Sequence, residues 1–273
     1  MNEKPADIRL VAIDLDGTLL DARKRVSQQT IDGLASAAGK GIRIVIASAR
    51  PPRSVRAIYQ MLKLDTLQIN YNGALIWDEI HRRAVFHRPL DGFLVQEMVE
   101  LARDYHEEVI VHLESMDRWS TDRTGDAYQT ETGKMFKPDR VGELTEFYHE
   151  PVTKLLFLGE PRIISRLEDL MVAEFVDRVT IVRTDDELLQ VMHPHVSKAK
   201  ALQKVAKVYG VPDESILAIG DAPNDVGMLQ IAGIAVAMGN ASPVVKEVVD
   251  WIAPSNNDHG VHAALVKYGL CSV

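Results

Sequence analysis

The feature that most constrains this chain is an apolar run that stops at two carboxylates. In Arg9-Leu10-Val11-Ala12-Ile13-Asp14-Leu15-Asp16-Gly17-Thr18, residues 10–13 fit a buried strand. Asp14 and Asp16 do not belong in the same dry environment, because an ionised carboxylate left without a partner costs several kcal/mol even after relaxation. They are expected to meet a cation, hydrogen-bond donors or solvent. Gly17 permits the sharp backbone departure that such a strand end requires.

Composition narrows what these acids can serve. The net charge of −8 disfavours nucleic acid as a partner, since phosphate backbones demand a basic surface. It also repels small anions at long range, so any phosphate-handling site here must be locally cationic. No run reaches the eighteen or so apolar residues needed to span a bilayer, and Met1-Asn2-Glu3-Lys4-Pro5 lacks the apolar core of a signal peptide. A single cysteine, Cys271, fits a reducing compartment. A cytoplasmic protein without a membrane partner is expected. At 273 residues, 46% of them hydrophobic, the chain is long enough for one large domain or for two.

The order of elements predicts the architecture. Ser27 is placed to cap a helix over 28–40, a strand follows over 42–47, and Pro51-Pro52 opens a second helix. Strand, helix and strand in succession imply a parallel sheet. A third strand is expected over 67–71, with a hairpin after it over 75–77 and 84–86. From about residue 89 the pattern changes to a helix over 93–107, a strand over 109–113, and a polar, turn-rich stretch over 115–137. A strand over 153–158, a helix over 161–175 and strands over 179–182 and 188–192 come next. The core resumes with a helix over 198–209, a strand over 215–220, and helices over 226–232 and 243–249. The expected fold class is α/β: a Rossmann-like doubly wound parallel sheet (residues 1–88 and 190–273) with an inserted α+β domain (residues 89–189).

Several predicted core strands stop at chemically useful residues. Residues 42–47 lead to Ser48-Ala49-Arg50; the helix over 198–209 opens with Lys198; residues 215–220 lead to Asp221-Ala222-Pro223-Asn224-Asp225. Taken singly, Ser48 is a turn residue, Lys198 a surface lysine, and Asn224 or Asp225 a helix cap. By strand order, Asp14, Asp16, Ser48 and Asp221 collect at the carboxyl edge of one sheet, where open α/β folds bind ligands. Carboxylates gathered there require a divalent cation, and oxygen donors without Cys or His favour Mg²⁺. His193 and His195 flank Pro194 without further ligands beside them, and are read as structural.

The set Asp14-Leu15-Asp16-Gly17-Thr18, Ser48, Lys198 and Gly220-Asp221-Ala222-Pro223-Asn224-Asp225 resembles the four ordered motifs of the haloacid dehalogenase-like phosphatases, and the C-terminal stretch resembles their Cof-type subfamily. Two positions depart from the common pattern: Ala49 and Ala199 replace glycines, and the second leaves Lys200 as a rival to Lys198. The resemblance implies Asp14 as nucleophile and Asp16 as general acid/base. It implies phosphate binding by Ser48, Lys198, Asn224 and the backbone amides of Leu15 and Ala49. It implies Mg²⁺ held by Asp14, Asp221 and the Asp16 backbone carbonyl, with Asp225 in support. The insertion would be a cap that selects a small phosphorylated metabolite, and Arg118, Trp119, Asp126 and Tyr128 lie in a cap region that could face it. Asp16 excludes the dehalogenase and P-type ATPase branches. A phosphomutase using the same aspartyl phosphate, or a non-enzymatic phosphorylation switch, are the alternatives.

Overall fold

The structure, a computed structural model, describes residues 7–125 and 127–272; Asp126 lies outside them. In chain order the strands are β1 (Leu10–Asp14), β2 (Arg43–Ala47), β3 (Gln68–Asn70), β4 (Leu75–Asp78), β5 (Arg83–His87), β6 (Ile110–Ser115), β7 (Arg118–Thr121), β8 (Arg140–Val141), β9 (Lys154–Leu158), β10 (Thr180–Asp185), β11 (Leu188–Met192), β12 (Ile216–Gly220), β13 (Ile234–Ala237) and β14 (Trp251–Ile252). The helices are α1 (Gln28–Gly39), α2 (Pro52–Leu62), α3 (Gly92–Tyr105), α4 (Pro161–Phe175), α5 (Lys198–Tyr209), α6 (Val226–Ile231), α7 (Pro243–Lys246) and α8 (Gly260–Lys267). Two compact units result. One takes the chain up to Ala49, Val55–Val85 and the chain from Ser197 onward; the other takes Arg50–Ser54 and Phe86–Val196.

The first unit is built on an eight-stranded sheet ordered β14-β13-β12-β1-β2-β3-β4-β5. From β14 to β3 every neighbour pair is parallel, and β4 turns back antiparallel to β3. All five residues of β1 are buried. Val11 and Ile13 pack with Leu34 of α1, Tyr59 of α2 and Leu265 of α8, while Leu10 and Ala12, on the opposite face, have no exposed surface either. A strand covered on both faces has no side-chain position to spare for chemistry except at its ends. The core is therefore the Rossmann-like parallel sheet that the strand order predicts.

The second unit holds a six-stranded sheet ordered β10-β11-β9-β6-β7-β8. Its pairs are antiparallel except β7 with β8. One face packs on α3 and α4 through Val111, Leu113, Leu155, Phe157, Leu189 and Val191. Alternate residues occupy the other face, among them Ile110, His112, Glu114, Lys154 and Gln190.

Local signals account for most boundaries. Ser27 caps α1 by accepting from the Thr30 amide, Asp91 caps α3 through the Phe93 and Leu94 amides, and α5 ends at Gly210 in the left-handed region. The structure adds β7 inside the stretch expected to be irregular. A two-residue turn with Met116 at φ +53° joins it to β6, and methionine gives no turn signal. It also adds α8, which packs on α1, and it stops α7 at Lys246 rather than 249.

Candidate active site

Register places the strand ends side by side. Asp14 pairs with Ala47 of β2, and Ile13 with Ile219 of β12. Asp14, Ser48 and Asp221 thus emerge together at the carboxyl edge of three adjacent parallel strands. Lys198, the first residue of α5, joins them from a helix whose N-cap is Ser197. Its ammonium donates to Asp14 Oδ1 at 2.5 Å and to Asp225 Oδ1 at 2.6 Å. Lys198, Asp14 and Asp225 are all buried, with side chains 1%, 8% and 0% exposed. Lys200, one helical step away from this cluster, is exposed. The structure therefore distinguishes the two lysines: only Lys198 meets the acids.

Asp225 is fully committed. Its second oxygen accepts from the backbone amides of Asp221 and Ala222 at 3.1 and 3.0 Å. It makes no side-chain cap to α6, so it fixes the preceding loop rather than the following helix. Gly220 makes this fit possible, because a Cβ there would come within 2.7 Å of the Asp225 carboxylate. Gly17 is required twice over: it sits at φ +85°, and a Cβ would lie 2.3 Å from Asp221 Oδ2. Thr18 donates to Asp221 Oδ1 at 2.7 Å.

One carboxylate oxygen from each of Asp14, Asp221 and Asp225 lies within 4.8 Å of the others. One ammonium against three carboxylates leaves excess negative charge, and the titration of the cluster reflects it. Burial pushes the Asp14 carboxyl up to about 7 despite the pull of Lys198, with Asp225 adding to the rise. Burial also raises Asp221, partly offset by its bond from Thr18. Burial alone would lower Lys198, but Asp14 and Asp225 outweigh it and hold the ammonium charged. An oxygen-only donor set with unneutralised charge suits a hard divalent cation.

The other expected residues divide. Ser48 is buried; its amide donates to Ile69 O at 2.8 Å and its carbonyl accepts from Asn72 N at 3.0 Å. Asn224 is tied to it indirectly, donating to the Asn72 side chain at 2.9 Å. Asp16 stands apart from the three-carboxylate cluster: its side chain is 39% exposed and bound by Lys24 at 2.6 Å. The Leu15 side chain is buried in the core and its carbonyl accepts from Leu20 N at 2.9 Å; Ala49 follows Ser48, half-buried. Asn240 and Asn256 hold the loop after β1 by donating to Gly17 O and Leu20 O, each at 2.8 Å. Sequence reasoning assigned no role to Thr18 or Lys24. Thr18 stood in the first motif as a visible signal, whereas the Lys24 contact depends on how the loop folds back.

A sequence profile of the haloacid dehalogenase-like hydrolases matches residues 11–265, and those bounds enclose all the strand ends just described. The chain belongs to this hydrolase family. Among its relatives is the 5-amino-6-(5-phospho-D-ribitylamino)uracil phosphatase YitU of Bacillus subtilis, 32% identical over 95% of this chain and 97% of the relative. The pyridoxal phosphate phosphatase YbhA of Escherichia coli is 26% identical over 93% of this chain and 96% of its own. A solved haloacid dehalogenase-like hydrolase from Bacteroides thetaiotaomicron superposes with a TM-score of 0.86 at 26% identity, covering 95% of this chain and 99% of that one. In this hydrolase no helix among the described residues is long and apolar enough to cross a membrane.

Proposed function

We propose that this hydrolase is a Mg²⁺-dependent phosphatase of small phosphorylated metabolites, acting through a phosphoryl group carried on Asp14. The observation that carries the reading is the buried bridge Asp14–Lys198–Asp225 with Asp221 beside it. It supplies a carboxylate nucleophile, a fixed cation for phosphoryl oxygens and a place for a dication. Phosphatase relatives that match over nearly the whole chain support the same reaction.

Two in-line displacements follow. Asp14 attacks phosphorus and the ester oxygen leaves, taking a proton from the Asp16 carboxyl. Asp16, now a carboxylate, removes a proton from water, which attacks the aspartyl phosphate and frees Asp14 and inorganic phosphate. Lys198, Ser48, Asn224 and the backbone amides of Leu15 and Ala49 bind the non-reacting oxygens as their charge redistributes. Asp225, its oxygens occupied by Lys198 and two amides, orients the lysine. Mg²⁺ bound by Asp14, Asp221 and the Asp16 carbonyl would neutralise phosphoryl charge. The role of residues 89–189 is that of a substrate-selecting cap, and the low cysteine content supports a cytoplasmic setting.

Rapid acid quench of the enzyme with a radiolabelled phosphomonoester tests the mechanism. Label should be trapped on protein containing Asp14 and absent from Asp14→Asn. A panel of phosphorylated metabolites with Mg²⁺, and again with a chelator, identifies the substrate class; unchanged turnover in chelator would remove the metal from the mechanism.

A further inference from the structure

A cavity of about 670 Å³ lies wholly within the second unit, in the size range of small-molecule sites. Its floor comes from the sheet face that turns away from α3 and α4: Ile110 and His112 alternate with the core residues Val111 and Leu113. Trp119 of β7 and the loop residues Tyr128 and Phe136 complete an aromatic lining. The His112 and Trp119 rings lie 4.7 Å apart at 55°, and each residue is only 6% exposed.

Two features of this lining point to a ligand. The Trp119 indole N–H has no hydrogen-bond partner among the described residues, which costs on the order of 1–3 kcal/mol unless an acceptor reaches it. The His112 ring likewise makes no hydrogen bond among the described residues while facing the cavity. Burial keeps it neutral, its pKa down at about 4, so it offers one donor and one acceptor.

The chemistry of the lining selects among occupants. No acidic side chain is among the described lining residues, which argues against a metal or a cationic ligand. Of the three cations in the lining, Arg123 and Lys134 are already paired with Asp122 and Glu131, and Lys137 is exposed to solvent, which weakens the claim of a strong anion. An aliphatic chain would leave both buried ring N–H groups unmet, and an acyclic polyol would present no flat face to the aromatic walls. A flat ring with polar edges satisfies all of these.

We propose that this cavity binds a planar heteroaromatic ring whose edge hydrogen-bonds His112 and Trp119.

Indole N–H resonances of ¹⁵N-labelled full-length protein read this binding directly. The chain has three tryptophans, and loss of a peak in Trp77→Phe or Trp251→Phe assigns Trp119 by elimination. Uracil and pyridoxine, which carry no phosphate, should shift the Trp119 peak downfield and leave Trp77 and Trp251 in place; ribitol and inorganic phosphate should move none. His112→Phe should raise the dissociation constant of the ring probes at least tenfold. Met135→Arg, at a half-exposed position on the cavity wall, should do the same without disturbing the core, so the test survives if the His112 variant does not fold. No shift at millimolar uracil and pyridoxine, equal shifts at all three indoles, or an equal response to ribitol would each overturn the site. Repeating the titration with Asp14→Asn reads ring binding apart from the phosphatase reaction, and the Trp119 shift should be unchanged. Binding retained there supports the cavity whatever the fate of catalysis.

Discussion

The two units bury charge in different ways. In the first, Lys198, Asp14, Asp221 and Asp225 sit at the ends of parallel strands and at helix starts, and the central strands β1 and β12 are apolar up to those ends. In the second, Glu114, Lys154 and His112 lie within antiparallel strands, alternating with core residues. There the Arg53 guanidinium meets both Glu114 oxygens at 2.6 Å, and Lys154 donates to Gln190 at 3.0 Å. A sheet flanked by helices on both faces exports its chemistry to one edge, whereas the second sheet, with α3 and α4 on one face, carries buried polar side chains along the other. The first arrangement gathers residues from three distant segments at one point. The second lays them out as a surface.

The largest effect should come from the first arrangement. Asp14→Asn is expected to lower the rate of phosphate release by roughly 10⁴-fold or more, with the fold intact by circular dichroism, because a nucleophile has no substitute. A loss of tenfold or less would mean that the edge cluster binds without reacting.

Lys198→Met comes next. Removing one member of a buried ion pair typically costs about 3–5 kcal/mol, read by urea denaturation, and added Mg²⁺ should recover part of it by neutralising the stranded acids. Glu114→Gln is the matching cut in the second unit. It should destabilise by a comparable amount and gain nothing from Mg²⁺, which distinguishes a pair that belongs to a metal site from one that does not.

The units should also differ in the sign of their pH dependence. Asp14 has its folded pKa, about 7, above its ordinary 3.8, so its contribution is present at low pH and is lost as pH rises through 7. In chelator, wild type should therefore lose stability relative to Asp14→Asn between about pH 4 and 7. His112 runs the other way. Its folded pKa of about 4 lies below 6.5, so its contribution is present above 6.5 and is lost as pH falls towards 4. By linkage that is a swing on the order of 3 kcal/mol, and His112→Phe should flatten it. Parallel pH profiles for the two variants would break the contrast.

The smallest effects sharpen the edge cluster. Thr18→Val removes the bond to Asp221 and should cost about 1 kcal/mol, with a measurable loss of Mg²⁺ affinity by calorimetry. Lys24→Ala breaks a pair whose partners are 55% and 39% exposed; its stability cost should stay below about 1 kcal/mol.

The contrast explains what could be read in advance. Strands such as Ile216–Gly220 announce themselves as apolar runs, and the residue that follows, Asp221, is conspicuous because it interrupts one. Their parallel order followed from the alternation of strand and helix. Nothing comparable marks Glu114 or Lys154, since a polar residue every second position is what any half-exposed strand shows. β7 was hidden by a turn at Met116 that carries no local signature. Asp16 was legible as an acid, but its partner Lys24 was not, because the contact depends on the path of a loop.

The sequence by itself determined that Asp14, Ser48 and Asp221 would converge, because strand direction and connection length leave one edge at which they can meet. Tertiary structure decided which lysine, which oxygen and which glycine. Lys198 and Lys200 differ in sequence by two positions, but a helix turns about 100° per residue, so the pair divides between a buried carboxylate cluster and open solvent. That choice is made by rotation about an axis, a quantity that packing fixes and residue order alone does not.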